Sequence, residues 1–258
     1  MKQSTYYTAV GHFRRKADEA GRSYPVILVN QEEHIVDIQE MAVWTVLNWR
    51  FLRLEEIEAR YDQMAKDLPS ARRTLDTCLN RLETRGLIAR GSGDTDFEAL
   101  YDLLGDLYVV PISESLSLRL ATFGKLLLDG VPFSKAQQLF RKDRPNEREA
   151  QVMALSQQAL LSTAELIKCA EVGVTEISTE EKLMDALIDN DYTTSDSIAF
   201  EMLQAEQWVP ITIAVANLYL RKQIIFERVK KDSGRCQPVL AAPACYPNVK
   251  QRHGQADQ

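Results

Sequence analysis

Histidine is scarce in this chain: His12, His34 and His253 are three among 258 residues, far apart and with no nucleophile partner. No phosphate loop, dinucleotide fingerprint or nucleophile elbow is present either. The reading is of a protein with no catalytic residues. Cysteine is equally sparing, with four residues and no Cys-x-x-Cys pair. Only His253 lies near Cys236 and Cys245, so the spacing of a zinc site is missing and no metal or other cofactor is expected. Cys78 and Cys169 fall in helical patterns and read as small packed apolar groups. No apolar run reaches the roughly 18 residues that span a bilayer. The longest, Trp208–Leu220, ends at Arg221-Lys222. The N-terminus lacks the apolar core of a signal peptide. These absences together predict a cytoplasmic protein with no membrane association.

Net positive charge is also lacking. The chain carries a net charge of -6 and has a pI near 5.3, which excludes coating of nucleic acid through bulk charge. A site-specific reader of DNA needs only a local basic face. Between positions 60 and 90, Arg60, Lys66, Arg72, Arg73, Arg81, Arg85 and Arg90 outnumber Asp62, Asp67, Asp76 and Glu83.

What the chain does contain is helical periodicity. Tyr6–Ala20 reads as a helix closed by Gly21, and Tyr24–Val29 as a short strand. Ile35-Val36-Asp37-Ile38 is either a second strand or an entry to the next helix. Glu40–Leu52, Leu54–Lys66 and Ser70–Arg85 then follow as three helices, with Ser70 as the cap of the third. Gly86 ends that helix through a left-handed position, and Gly86-Leu87-Ile88-Ala89-Arg90 leads into a strand. Gly91 and Gly93 mark a loop, with a short helix inside it at Phe97, Leu100, Tyr101 and Leu104. Leu107–Ile112 offers a second strand. Beyond it, long helices are expected at Leu116–Leu128 and Glu147–Glu171. Trp44, Trp49 and Trp208 read as core packing.

The third helix carries the chemistry. Leu75, Leu79 and Leu82 form an inward stripe, while Arg73, Thr77, Asn80, Arg81 and Thr84 face outward. Arginine reads guanine edges or phosphate, asparagine reads adenine, and threonine serves either role. Lys66 and Arg72 suit phosphate contacts, as does Arg90 on the outgoing strand. Arg85 completes the basic set. The bland alternative is a solvated face whose arginines pair with Asp76 and Glu83.

The pattern Thr74-Leu75-x-x-Cys78-Leu79-x-x-Leu82-Glu83-x-x-Gly86-Leu87-Ile88 resembles the helix-to-wing passage of bacterial winged-helix transcriptional regulators, broadly of the MarR and PadR kind. The resemblance covers about seventy residues. It implies a helix in the major groove of double-stranded DNA, a wing beside it and a homodimer. Ser70, Arg72, Arg73, Thr77, Asn80 and Arg81 then take the reading positions.

One feature departs from that pattern. The expected wing carries Asp94, Asp96, Glu98, Asp102 and Asp106, with no basic residue between Ser92 and Tyr108. Phosphate repels such a loop, so it turns away from DNA or meets a protein partner. An internal echo also appears: Leu68-Pro69 opens a helix that ends in Gly86-Leu87-Ile88, and Val209-Pro210 opens one that ends in Gln223-Ile224-Ile225-Phe226. It is either a degenerate second winged helix over 178–230 or a chance likeness.

The expectation is therefore a mainly α fold. It comprises an N-terminal helix (1–23), a winged-helix domain (24–112), a helical dimerisation or effector region (113–231) and a disordered tail (232–258). The expected function is a DNA-binding transcriptional regulator. The alternatives are a winged-helix adaptor that holds another protein without binding DNA, and a replication or partition factor of a mobile element.

Overall fold

The computed structural model describes residues 3–19, 21–65, 73–112, 145–177 and 207–228. Among these, seven helices take 48% and eight strands 26%, in three small antiparallel sheets. The mainly α expectation is corrected accordingly.

The expected helix at Tyr6–Ala20 is two strands, β1 (Ser4–Ala9) and β2 (His12–Ala17). Thr5, Tyr6, Tyr7 and Thr8 are β-branched or aromatic and fit a pleated surface better than a helix. β2 continues into a three-stranded sheet, β2-β3-β4, with β3 at Ser23–Val29 and β4 at Glu32–Ile35.

Three helices follow, close to the expected spans: α1 (Ile38–Leu47), α2 (Leu54–Ala65) and α3 (Leu75–Thr84). Asp37 and Glu40 form a reciprocal capping box on α1. The cap of α3 is Thr74, not Ser70, and α3 is correspondingly shorter than expected. Gly86 leaves α3 at φ +70°, the left-handed exit that the sequence requires.

Both expected wing strands exist, as β5 (Ile88–Gly93) and β6 (Tyr108–Pro111). They do not pair with each other. β5 pairs with β1, from Ser4↔Gly93 to Ala9↔Ile88. β6 pairs with β7 (Leu161–Ser162) and β8 (Ile224–Glu227). The hairpin wing is therefore absent, and the acidic connector forms the short helix expected at Phe97–Leu104, as α4 (Asp96–Leu104), which lies on β5. The long helix expected at Glu147–Glu171 is divided into α5 (Glu147–Gln158) and α6 (Thr163–Val172), because Ser162 and Glu165 start a new capping box. α7 spans Trp208–Leu220. The expected helix at Leu116–Leu128, most of the 178–230 segment and all of the 232–258 tail lie outside the described residues.

These elements form one unit used twice. In the first copy β1 lies between β5 and the bridge Tyr7↔Leu52, and α1, α2 and α3 pack behind it. In the second, β6 lies between β8 and β7, backed by α5, α6 and α7. The correspondence extends to single bonds. Val10 N donates to Leu87 O at 2.9 Å, as Ile112 N does to Gln223 O at 2.8 Å. Leu87 N donates to Leu82 O, and Gln223 N to Leu218 O. Gly86 at φ +70° matches Lys222 at φ +59°. The Asp37/Glu40 capping box matches Asn146/Glu149. The two halves thus share a structural pattern, but it starts at β6 rather than at 178, and its register sets Pro210 opposite Thr74, which corrects the alignment of Leu68-Pro69 with Val209-Pro210. Its register also pairs Arg73 with Val209, Thr77 with Ile213, Arg81 with Asn217 and Thr84 with Leu220.

A single core joins the copies. The buried Tyr219 hydroxyl accepts from Thr8 Oγ1 and Trp49 N, each at 3.0 Å, and donates to Ala9 O at 3.2 Å. Burial pushes its pKa up to about 12. Its ring stacks on Phe226 at 4.4 Å between centroids. Trp208 meets Phe97 and Tyr101 of α4 edge-on.

Candidate functional site

The outward residues of α3 decide whether the helix is available to a duplex. Thr77 and Asn80 are exposed, and so is Thr84, whose hydroxyl donates to Asn80 O in its own helix. Thr77 is tied locally, its amide and hydroxyl meeting the Thr74 hydroxyl at 3.3 and 2.9 Å. The arginines are committed elsewhere. Arg81 Nε donates to Glu40 Oε1 at 2.6 Å, and Arg85 Nη1 donates to Glu40 Oε2 at 3.2 Å. Arg85 Nη2 also donates to Ile35 O at 2.7 Å. Arg73 pairs with Asp37 and lies 3.8 Å from Glu40. Arg90 on β5 is exposed and lies 3.8 Å from Glu83. Lys66, Ser70 and Arg72 lie outside the described residues.

Glu40 is the centre of this cluster. Its side chain is 2% exposed, whereas those of Arg73, Arg81 and Arg85 are 36%, 48% and 28% exposed. A carboxylate taken out of water needs paired charge and hydrogen bonds. Three guanidiniums and the Asp37 amide supply them. The hydrogen bond to Glu40 holds Arg81 firmly protonated, raising its pKa. Burial, with Glu40 nearby, pushes the Cys78 thiol up, so the sulfur beneath the cluster is a packed apolar group rather than a nucleophile. The basic face visible in the sequence is, in three dimensions, the solvent side of a charge clamp that joins α3 to α1. Asp37 and Glu40 were the missing half. Their Asp-x-x-Glu spacing is a capping-box signal, but it carries no hint of guanidiniums about forty residues away.

The second copy repeats the clamp in thinner form. Glu149, matching Glu40, accepts from Arg221 Nη1 at 2.8 Å, and Arg221 stands where Arg85 does. Asn217 occupies the position of Arg81, and Glu149 Oε1 has no hydrogen-bond partner among the described residues. On the outer side of α7, Val209, Ile213 and Leu220 are 43%, 44% and 50% exposed. The polar stripe of α3 is therefore an apolar stripe in α7.

A different feature is open. Between α1 and the β2–β3 strands lies a groove of about 630 Å³. Trp44, its indole nitrogen bonded to Val10 O, lies at its base. Tyr24 and Pro25 from β3 form one wall, and Phe13 and Ile38 rise at the rims with 44% and 54% exposure. Arg15 is the only charged residue among the described residues that line it. Cross-strand register puts Phe13 and Arg15 on one face of the sheet. Lys16 lies on the other face, where it pairs with Glu33 at 2.6 Å. The helical expectation for Tyr6–Ala20 hides this site; the alternation of Phe13 with polar His12 and Arg14 is the signal that a strand carries.

Among the described residues, no group of three metal-ligating side chains comes together, and no helix is long and apolar enough to cross a membrane. No protein-family model, curated protein or solved structure matches the chain.

Proposed function

We propose that this chain is an adaptor that holds a segment of another protein. The observation that supports it most is the state of Arg73, Arg81 and Arg85. They are held on Glu40 and Asp37, and pulling all three away from Glu40 to phosphate breaks a buried pair at a cost of about 3–5 kcal/mol. Apolar side chains also face solvent, at the rims of the groove above Trp44 and along α7, the kind of surface that marks protein contacts.

Duplex binding measured by fluorescence anisotropy tests the reading. The adaptor shows no sequence-dependent affinity, and any weak association disappears between about 50 and 200 mM salt. Selection of a discrete site from random duplexes, with nanomolar binding retained at the higher salt, overturns it.

That outcome belongs to a second reading, the transcriptional regulator, which the exposed stripe of Thr77, Asn80, Arg81 and Thr84 favours. Its homodimer has a natural surface in Val209, Ile213 and Leu220. Under that reading Ile213→Asp leaves a monomer in sedimentation where the unaltered chain is a dimer. A wild-type mass of 29.3 kDa, that of a single chain, removes the dimer.

A further inference from the structure

We propose that the groove between α1 and the β2–β3 strands seats a partner peptide that places large apolar side chains next to a carboxylate. The proposal rests on the adaptor reading and supplies its site and ligand chemistry. Phe13 and Ile38 stand 44% and 54% exposed on facing rims, above a tryptophan only 1% exposed. Large side chains left in water on both sides of a cleft gain from an apolar insert. The volume of about 630 Å³ lies within the roughly 300–1,000 Å³ of ligand-holding clefts.

Charge chooses the ligand. Arg15 lines the groove, no carboxylate lines it among the described residues, and Arg15 has no hydrogen bond or ion pair among them. The chain as a whole carries a net charge of -6. Against that overall balance, Arg15 gives a carboxylate a local charge to meet at this mouth, which supplies orientation as well as attraction. A nucleic acid satisfies Arg15 but has no flexible apolar side chain to fill the space over Trp44.

The test is selection of short random peptides displayed on phage against the full chain. Enriched sequences are synthesised and titrated calorimetrically against wild type, Phe13→Asp, Arg15→Glu and the remote control Thr77→Asp. All three positions are exposed, so folding is checked by circular dichroism and expected unchanged. The expected result is a shared motif of large apolar residues followed by Asp, Glu or a C-terminal carboxylate. Phe13→Asp and Arg15→Glu each weaken binding about tenfold or more, and Thr77→Asp leaves it unchanged. Peptides that bind all four proteins equally overturn the groove but leave the adaptor reading standing. The absence of any binding peptide removes both. Loss of a wild-type dimer in Phe13→Asp assigns the groove to a second copy of the chain and overturns the peptide.

Discussion

At the scale of single residues, Glu40 explains more of this molecule than any arginine of α3. One buried carboxylate collects Arg73, Arg81 and Arg85, and the same side chain closes the cap of its own helix. The two sides of the pair are not equivalent. Each arginine is at least 28% exposed and can turn to water, whereas Glu40 cannot. Glu40→Gln therefore lowers the unfolding free energy by about 3 kcal/mol, the lower end for a broken buried pair, because the released guanidiniums are rehydrated. Arg81→Ala leaves Arg73 and Arg85 on the carboxylate and costs far less than Glu40→Gln, as for a partly exposed ion pair. Urea denaturation of the two variants measures the contrast. Equal losses mean that Glu40 is not the hub.

Among the elements, those with their own periodicity and stop signals were legible. The apolar stripe Leu75, Leu79 and Leu82 with Gly86 behind it marks α3, and Leu87-Ile88 marks the strand after it. Strand partners were not legible, because β1 and β5 pair across almost ninety residues and nothing local encodes that choice. The glycines misled for a physical reason. Gly91 reads as a loop residue, yet it lies within β5 beneath α4, where a Cβ would sit 2.2 Å from Leu103 N and 2.5 Å from Ala99 O. It permits close backbone approach rather than a turn. Gly91→Ala thus pushes α4 off β5 at a cost of about 3 kcal/mol, the upper part of the range for overpacking. α4 carries Phe97 and Tyr101 to Trp208, so the near-ultraviolet circular dichroism of the folded variant also changes. An unaltered spectrum and midpoint would show that α4 has room to shift. The site was half legible by the same logic: donor residues on one helix can be counted, but their acceptors on another cannot.

Across the whole molecule, duplication provides an internal control that no comparison with other proteins supplies. Two copies of one strand-and-helix unit keep the same capping box, the same buried glutamate and the same helix exit, while their outer helix faces differ. What both copies retain is structural, and what differs is open to function. The Glu–Arg clamp is common to both units, and the polar face of α3 against the apolar face of α7 is where they differ. The thinner second clamp makes the argument testable. Glu149 is 1% exposed and its Oε1 is unpartnered among the described residues, where the first copy places Arg81. An unsatisfied buried polar atom costs about 1–3 kcal/mol. Asn217 is the register mate of Arg81 and is half-buried on the corresponding turn of α7. Asn217→Arg should deliver a guanidinium to that oxygen and raise stability by about 1 kcal/mol once ordering of the longer side chain is subtracted. The gain should vanish in the double variant Glu149→Gln, Asn217→Arg, because the new charge then has no carboxylate to meet. A gain that persists in the double variant has another origin, and a loss in the single variant means that the two units do not share a register at this turn.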